Sequence, residues 1–159
     1  MRLLSCHVEN FGRLHDFSLD FCDGCNTVFE ANGFGKSTLA TFIRVMFYGF
    51  LGETKRKGME NERKRFEPWQ GGTYGGSLDF SVGNRKYRMT RIFHDKQPND
   101  EFELRDLTTN LISNDYTEQI GEELFAVNQE SFIRTVFIGQ NDLVTSATDI
   151  FTSGAFSCN

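Results

Sequence analysis

The stretch FEANGFGKSTLA, residues 29–40, constrains the fold more than any other part of the chain. A short apolar run, NTVFE at 26–30, reads as a strand and leads straight into closely spaced glycines. Lys-Ser-Thr follows, and then a segment with helical periodicity. Strand, glycine-rich turn and helix, with Lys and Ser/Thr at the helix start, is the context in which a Walker A phosphate loop works. Each residue type has a physical task. Gly33 and Gly35 free the backbone to turn successive N–H groups, with Asn32 at the start of the cradle, toward phosphate oxygens. The helix N-terminus adds partial positive charge. Lys36 is placed to reach the β- and γ-phosphates, the Ser37 hydroxyl to ligate Mg2+, and Thr38 to bond a phosphate oxygen. One position departs from the pattern, because Glu30 stands where the loop's first glycine is expected. A glutamate there stiffens the turn and brings negative charge near an anion site. The expectation is normal or weakened binding, not abolition. The bland alternative is a chance glycine-rich turn before a core helix, and it leaves the complete run Asn-Gly-Phe-Gly-Lys-Ser-Thr unexplained.

The remaining pattern predicts an α/β (mixed α+β) domain with antiparallel hairpins packed around the loop's helix. Residues 2–9 and 13–21 read as strands, with Phe17, Leu19 and Phe21 alternating. Asp23-Gly24 reads as a hairpin turn between the second strand and 26–30, flanked by Cys22 and Cys25. A metal or redox role for that CxxC has little support, since there is no second CxxC and no histidine at ligand spacing. The helix after the loop, about 35–48, buries Leu39, Phe42, Ile43, Met46 and Phe47 on one face, with Gly49 as its stop. Residues 52–74 lack periodicity and are read as a mobile charged loop. Strands return at 76–82 and 85–93 about a Gly83-Asn84 turn, and again at 102–107. Helices follow at about 116–126, capped from Ser113, Asn114 or Asp115, and at 129–134, capped by Asn128. TVFIG at 135–139 reads as a strand, and 144–159 as a disordered tail.

Composition excludes some classes. A net charge of −5 means that the whole chain is no electrostatic glove for nucleic acid. The run KRKGMENERKR at 55–65 has six Lys/Arg and two Glu; it is read as a solvated loop, with a DNA-facing patch as the alternative. Trp69 beside it could stack on a base or anchor the loop. The longest apolar run, VMFYGFL at 45–51, is far below the ~20 residues of a membrane span. No apolar signal region follows Met1, so a cytoplasmic protein with reduced thiols is expected.

Three features together resemble the N-terminal start of the SMC/SbcC class of ABC-type ATPases, in style the bacterial YhaN-like AAA family. They are the opening through the "NF" corner at 10–11, the phosphate loop, and SFIRTVFIGQNDL at 131–143, which is similar to a Q-loop. The resemblance covers about 1–143. It implies ATP and Mg2+ as ligands. It implies that Gln140 would touch Mg2+ and the attacking water, and that Arg13 would lie near the phosphates. In that class the basic residue often falls one position earlier, here Gly12. Work in DNA repair or chromosome maintenance, a missing C-terminal ATPase lobe, a second head in an ATP sandwich and a phosphoesterase-type nuclease are its implied setting.

Other catalytic parts of that class are not found. No apolar run ends in Asp-Glu; the lone pair, Asp100-Glu101, follows the polar KQPN. WQGGTYGG holds glycine pairs but not a signature motif. The chain therefore reads as a lobe ending before the expected coiled coil, with turnover near background when alone. Without a neighbouring Walker B strand, a sheet edge and apolar surface are expected to be bare. The alternatives are a non-catalytic fragment acting through protein contacts, an ABC-type ATPase of another role such as phage defence or transport, and a small-molecule P-loop kinase.

Overall fold

The computed structural model describes residues 1–52 and 61–136. Its centre is one five-stranded antiparallel sheet in the order β2-β1-β3-β4-β5. The strands are β1 (Arg2–Phe11), β2 (Leu14–Asp20), β3 (Gly75–Val82), β4 (Arg85–Ile92) and β5 (Glu101–Asp106). The helices are α1 (Lys36–Tyr48), α2 (Glu62–Arg65), α3 (Ile120–Phe125) and α4 (Gln129–Thr135).

Period-2 patterning gives the sheet two unlike faces. The register aligns Leu19, Cys6, Leu78, Met89 and Leu104 in a row across all five strands. One residue along, Ser18, His7, Ser77, Thr90 and Glu103 make a polar row on the opposite face. Helix α1 covers the apolar face. Phe42, Val45 and Met46 are fully buried. The Phe47 ring meets Phe80 at 6.1 Å, and Phe42 meets Phe11 at 5.4 Å. Phe50, Tyr74 and Phe93 extend this aromatic core past the end of α1.

Several expectations need correction. Residues 26–30 form no strand. A strand must take its hydrogen bonds from a neighbour, and none of the five strands runs beside this segment. Asp23-Gly24 is accordingly a bend in a loop, clasped by Asn26, whose side chain bonds Cys22 N at 2.7 Å and Cys22 O at 3.0 Å. The first of the two later helices starts only at Ile120, with Gln119 at its cap. Asp115 is engaged elsewhere, accepting from Arg85 and from the Tyr87 hydroxyl at 2.7 Å. The second helix has its expected cap, since the Asn128 side chain accepts from Ser131 N at 2.9 Å. Thr135 closes α4 instead of opening a strand, with Val136 as its C-cap; 137–139, Gln140 and the 144–159 tail lie outside the described residues.

The segment read as a mobile loop at 52–74 is, over its second part, built into the fold. Asn61 caps α2 and is buried. Arg63 is also buried, bonds both oxygens of Asp100 at 2.8 and 2.7 Å, and lies 4.6 Å from the Phe50 ring centroid. Arg44, buried on α1, pairs with Glu62. Arg63 therefore does not belong to an outward-facing basic patch; positions 53–60 lie outside the described residues.

Candidate phosphate-binding site

Local chemistry sets the shape of the loop. Gly33 and Gly35 have φ of 89° and 117°, which L side chains rarely adopt. At Gly35 a Cβ would also come within 3.0 Å of Leu14 Cδ2. Phe34 N closes a turn on Ala31 O at 3.2 Å, and Leu39 N bonds Gly35 O at 2.8 Å as α1 begins. The Lys36 ammonium folds back over the loop onto two carbonyls, Glu30 O at 2.5 Å and Ala31 O at 3.1 Å. It takes the backbone of Glu30 and not its carboxylate, and the Glu30 side chain stays exposed. Glu30 thus enters the loop's hydrogen bonding through its backbone carbonyl. Asn32 and Ser37 are exposed, while Thr38 is buried.

The β1–β2 corner is pressed against this loop. Arg13 donates from its guanidinium to Gly33 O at 3.0 Å. Gly12 has φ of 58°, and a Cβ on it would meet Thr38 Cγ2 at 3.1 Å and Phe66 Cδ1 at 3.0 Å. A side chain at position 12 would therefore be strained and crowded, and the basic residue of the corner stands at 13. The structure therefore brings Arg13, Gly33, Gly35, Lys36, Ser37 and Thr38 into one place. Gln140 lies outside the described residues.

Sequence reasoning missed the role of Asn10. It is buried, donates from Nδ2 to Thr73 O at 2.9 Å and shares a 2.7 Å bond with His15. It was present in the "NF" corner, but its partner stands 63 positions away. The far end of α1 is also tied down. Gly49 O accepts from Gln129 at 3.0 Å, and the Tyr48 hydroxyl donates to Val127 O at 3.0 Å. A cavity of about 430 Å3 lies there, lined among others by Tyr48, Arg63, Arg91 and Gln129. Burial lowers the Arg91 guanidinium to about 10, and its Nε has no hydrogen-bond partner. This cavity lies at the opposite end of α1 from the glycines.

The Asp100-Glu101 pair is structural. Both Asp100 oxygens accept from Arg63, Oδ1 also takes His94 N at 2.9 Å, and Glu101 lies 3.1 Å from His94. Among the described residues no cluster of His, Cys, Asp or Glu could hold a metal, Cys22 and Cys25 included. No described helix is long and apolar enough to cross a membrane.

Left-handed glycines at the head of α1, with Lys36 and Ser37 beside them, are the parts of a phosphate loop. Residues 5–154 match the sequence model of an AAA domain, and the chain belongs to that family of SMC/SbcC-like ATPases, as an N-terminal region. Membership implies a nucleotide-binding domain of the SMC-like ATPase type, with the nucleotide held with a divalent metal. The uncharacterized protein YhaN of Bacillus subtilis (strain 168) is 30% identical over 80 residues, which is 50% of this chain and 7% of that protein. The chain thus spans a small fraction of the length of the curated relative it matches.

Proposed function

We propose that this chain is the ATP-binding N-terminal lobe of an SMC/SbcC-like ATPase that works on DNA breaks or chromosomes. It hydrolyses ATP when a C-terminal lobe and a second head complete the site. The observation that carries this reading is the loop itself, with left-handed Gly33 and Gly35 and the Lys36 ammonium folded onto the carbonyls of Glu30 and Ala31. Those two carbonyl bonds are of the kind that a triphosphate's oxygens would replace, with a stronger, charge-assisted partner. The donor set fits Mg-ATP: N–H groups of 33–38 for the phosphates, Lys36 for the β–γ end, Ser37 for Mg2+, and Arg13 within reach from the corner. Bound Mg-ATP would supply the phosphoryl group; the residues of this chain position it and neutralise its charge. Gln140 is assigned the water and Mg2+ contact on resemblance.

Completion by another lobe is supported by the bare segment before the loop. Residues 26–30 are unpaired and Phe29 is 95% exposed. Asp100, of the Asp100-Glu101 pair, is held by Arg63 and is not free to activate water. DNA contact through 55–65 would rest on Lys64, Arg65 and positions outside the described residues. A phosphoesterase-type nuclease as partner, and a cytoplasmic setting, follow from the resemblance.

The test is calorimetric titration of the purified chain with Mg-ATP. Wild type binds, and Lys36→Ala weakens binding by roughly 100-fold, the order expected when a charged hydrogen-bond donor to an anion is removed. ATP turnover stays at the level of the Lys36→Ala control. Equal binding by both proteins would sink the phosphate-loop reading. Lys36-dependent turnover by the chain alone would sink the half-site reading.

A further inference from the structure

We propose that Trp69 is the base-stacking residue of the nucleotide site, so that the turn carrying it forms the subsite for the nucleobase of bound ATP. The inference rests on the phosphate-loop reading above and adds to it the residue that recognises the other end of the ligand.

The turn is fastened to the site at both ends. On one side, Phe66 O accepts from Gly12 N at 2.7 Å, and the Phe66 ring stacks on Phe11 at 4.9 Å. On the other, Asn10 holds Thr73 O at 2.9 Å, and Gly72 passes so close that a Cβ would stand 2.8 Å from Asn10 Nδ2. Asn10 and Gly12 belong to the corner that packs against Thr38 and bonds Gly33 O through Arg13. Both ends of the segment 66–73 are therefore fastened to the corner that packs on the phosphate loop. Between the two fastenings, Gly71 N bonds Pro68 O at 3.3 Å, which makes Trp69 and Gln70 the central pair of a tight turn.

Trp69 does nothing for the turn it sits on. It is 88% exposed, and the surrounding rings pack with one another without it: Phe11 with Phe66, and Tyr74 with Phe50 and Phe93. The anchoring role open to it on sequence grounds is filled by Phe66, Asn10 and Tyr74. A large indole held in water on a doubly fastened turn, at the rim of a phosphate site, suits a ligand that brings a flat π-face. The ligand already assigned to this loop has one. Lys36 and Ser37 take the β–γ end of the triphosphate, so the nucleoside leaves the loop away from them, and the Thr38–Gly12 contact puts the turn alongside. Base–aromatic stacking tolerates any base and is worth about 1–3 kcal/mol.

The chain contains one tryptophan, so its emission reports on this residue alone. The experiment titrates the whole chain with Mg-ATP and, separately, with Mg-tripolyphosphate, following both heat and tryptophan emission. Mg-ATP is expected to change the emission, and tripolyphosphate to bind without changing it. Trp69→Ala should weaken Mg-ATP roughly ten- to a hundredfold and leave tripolyphosphate affinity unchanged. Trp69→Phe should keep most of the ATP affinity. An exposed position makes misfolding of these variants an unlikely confusion, and circular dichroism checks it. Wild-type Mg-ATP binding with unchanged emission, or equal ATP affinity in Trp69→Ala, overturns the inference and leaves the phosphate-loop reading standing. An emission change with a single-stranded oligonucleotide but none with Mg-ATP makes Trp69 a nucleic-acid contact and also overturns it. If wild type binds neither ATP nor tripolyphosphate, the phosphate-loop reading fails and this inference falls with it.

Discussion

Two apolar segments meet at the phosphate loop and have opposite fates. On the C-terminal side, α1 buries Leu39, Phe42, Val45, Met46 and Phe47 against the sheet. On the N-terminal side, the run 26–30 joins no strand and Phe29 is 95% exposed. Apolar content does not separate them. A helix closes its hydrogen bonds within itself, so α1 needs a covering surface only for its side chains. A strand borrows its hydrogen bonds from a neighbour, and 26–30 is not among the paired strands of the sheet. The loop is thus held from one side by α1 and from the β1–β2 corner, while the segment before it touches the core through Val28 without joining the sheet.

The strongest test of this contrast is a truncation on the buried side. Phe42 is fully buried and meets Phe11 edge-on at 5.4 Å. Phe42→Ala should cost about 3–5 kcal/mol through lost transfer energy and the cavity left behind. Urea denaturation measures it as a drop in the unfolding midpoint. A cost below about 1 kcal/mol would mean that α1 is not packed as described.

The same contrast explains what could be read in the sequence. The four long strands and α1 announce themselves by local period, and Asn128 by its place before a helix. The glycine-rich turn before α1 was also legible, because its residues sit next to one another, whereas Arg13 was suggested only by resemblance and meets Gly33 from 20 positions away. What was not legible depended on distant partners. Arg63 looked like one cation in a solvated run, yet its carboxylate is Asp100, 37 positions on. Asn10 needs Thr73 to show what it does. The segment 26–30 has a strand's composition, but composition cannot tell whether a neighbouring strand is there to receive it. Gly12 could have been placed only by knowing that Thr38 and Phe66 crowd it.

Cysteines extend the comparison with a smaller, pH-dependent effect. Cys6 lies in the buried row of the sheet, and burial raises its thiol from 9.0 to about 11. Cys22 and Cys25 lie exposed in the loop before 26–30. As pH rises past 9 the unfolded Cys6 sheds a proton that the folded one keeps, so the unfolded state gains. The stability due to this neutral thiol is complete below about 9 and is lost progressively toward 11. Tyr74, whose phenol is also pushed up by burial, adds its own loss above 10, so 9 to 10 is the window in which Cys6 dominates. A decline of roughly 1 kcal/mol is expected there. Comparing the pH dependence of unfolding in wild type and Cys6→Ala checks it, since the variant should be flatter. Equal slopes would show that Cys6 is not the group responsible.

Phe29 carries the smallest expected effect and the sharpest consequence. In the isolated chain its side chain is in water, so Phe29→Ser should change stability by less than about 0.5 kcal/mol, against the several kcal/mol at Phe42. If 26–30 becomes a strand by pairing with one supplied from a C-terminal lobe, Phe29 becomes buried only in the assembled head. Phe29→Ser should then leave the unfolding midpoint of the chain in place and weaken its association with that lobe added in trans, measured by calorimetry. A loss above about 1 kcal/mol in the chain alone would mean that Phe29 already packs against it, and the two sides of the loop would no longer differ in kind. Unaltered association would leave the segment bare but remove it from the joint. Mg-ATP affinity should change little in either case, because Lys36 reaches the carbonyls of Glu30 and Ala31, which Phe29→Ser leaves in place.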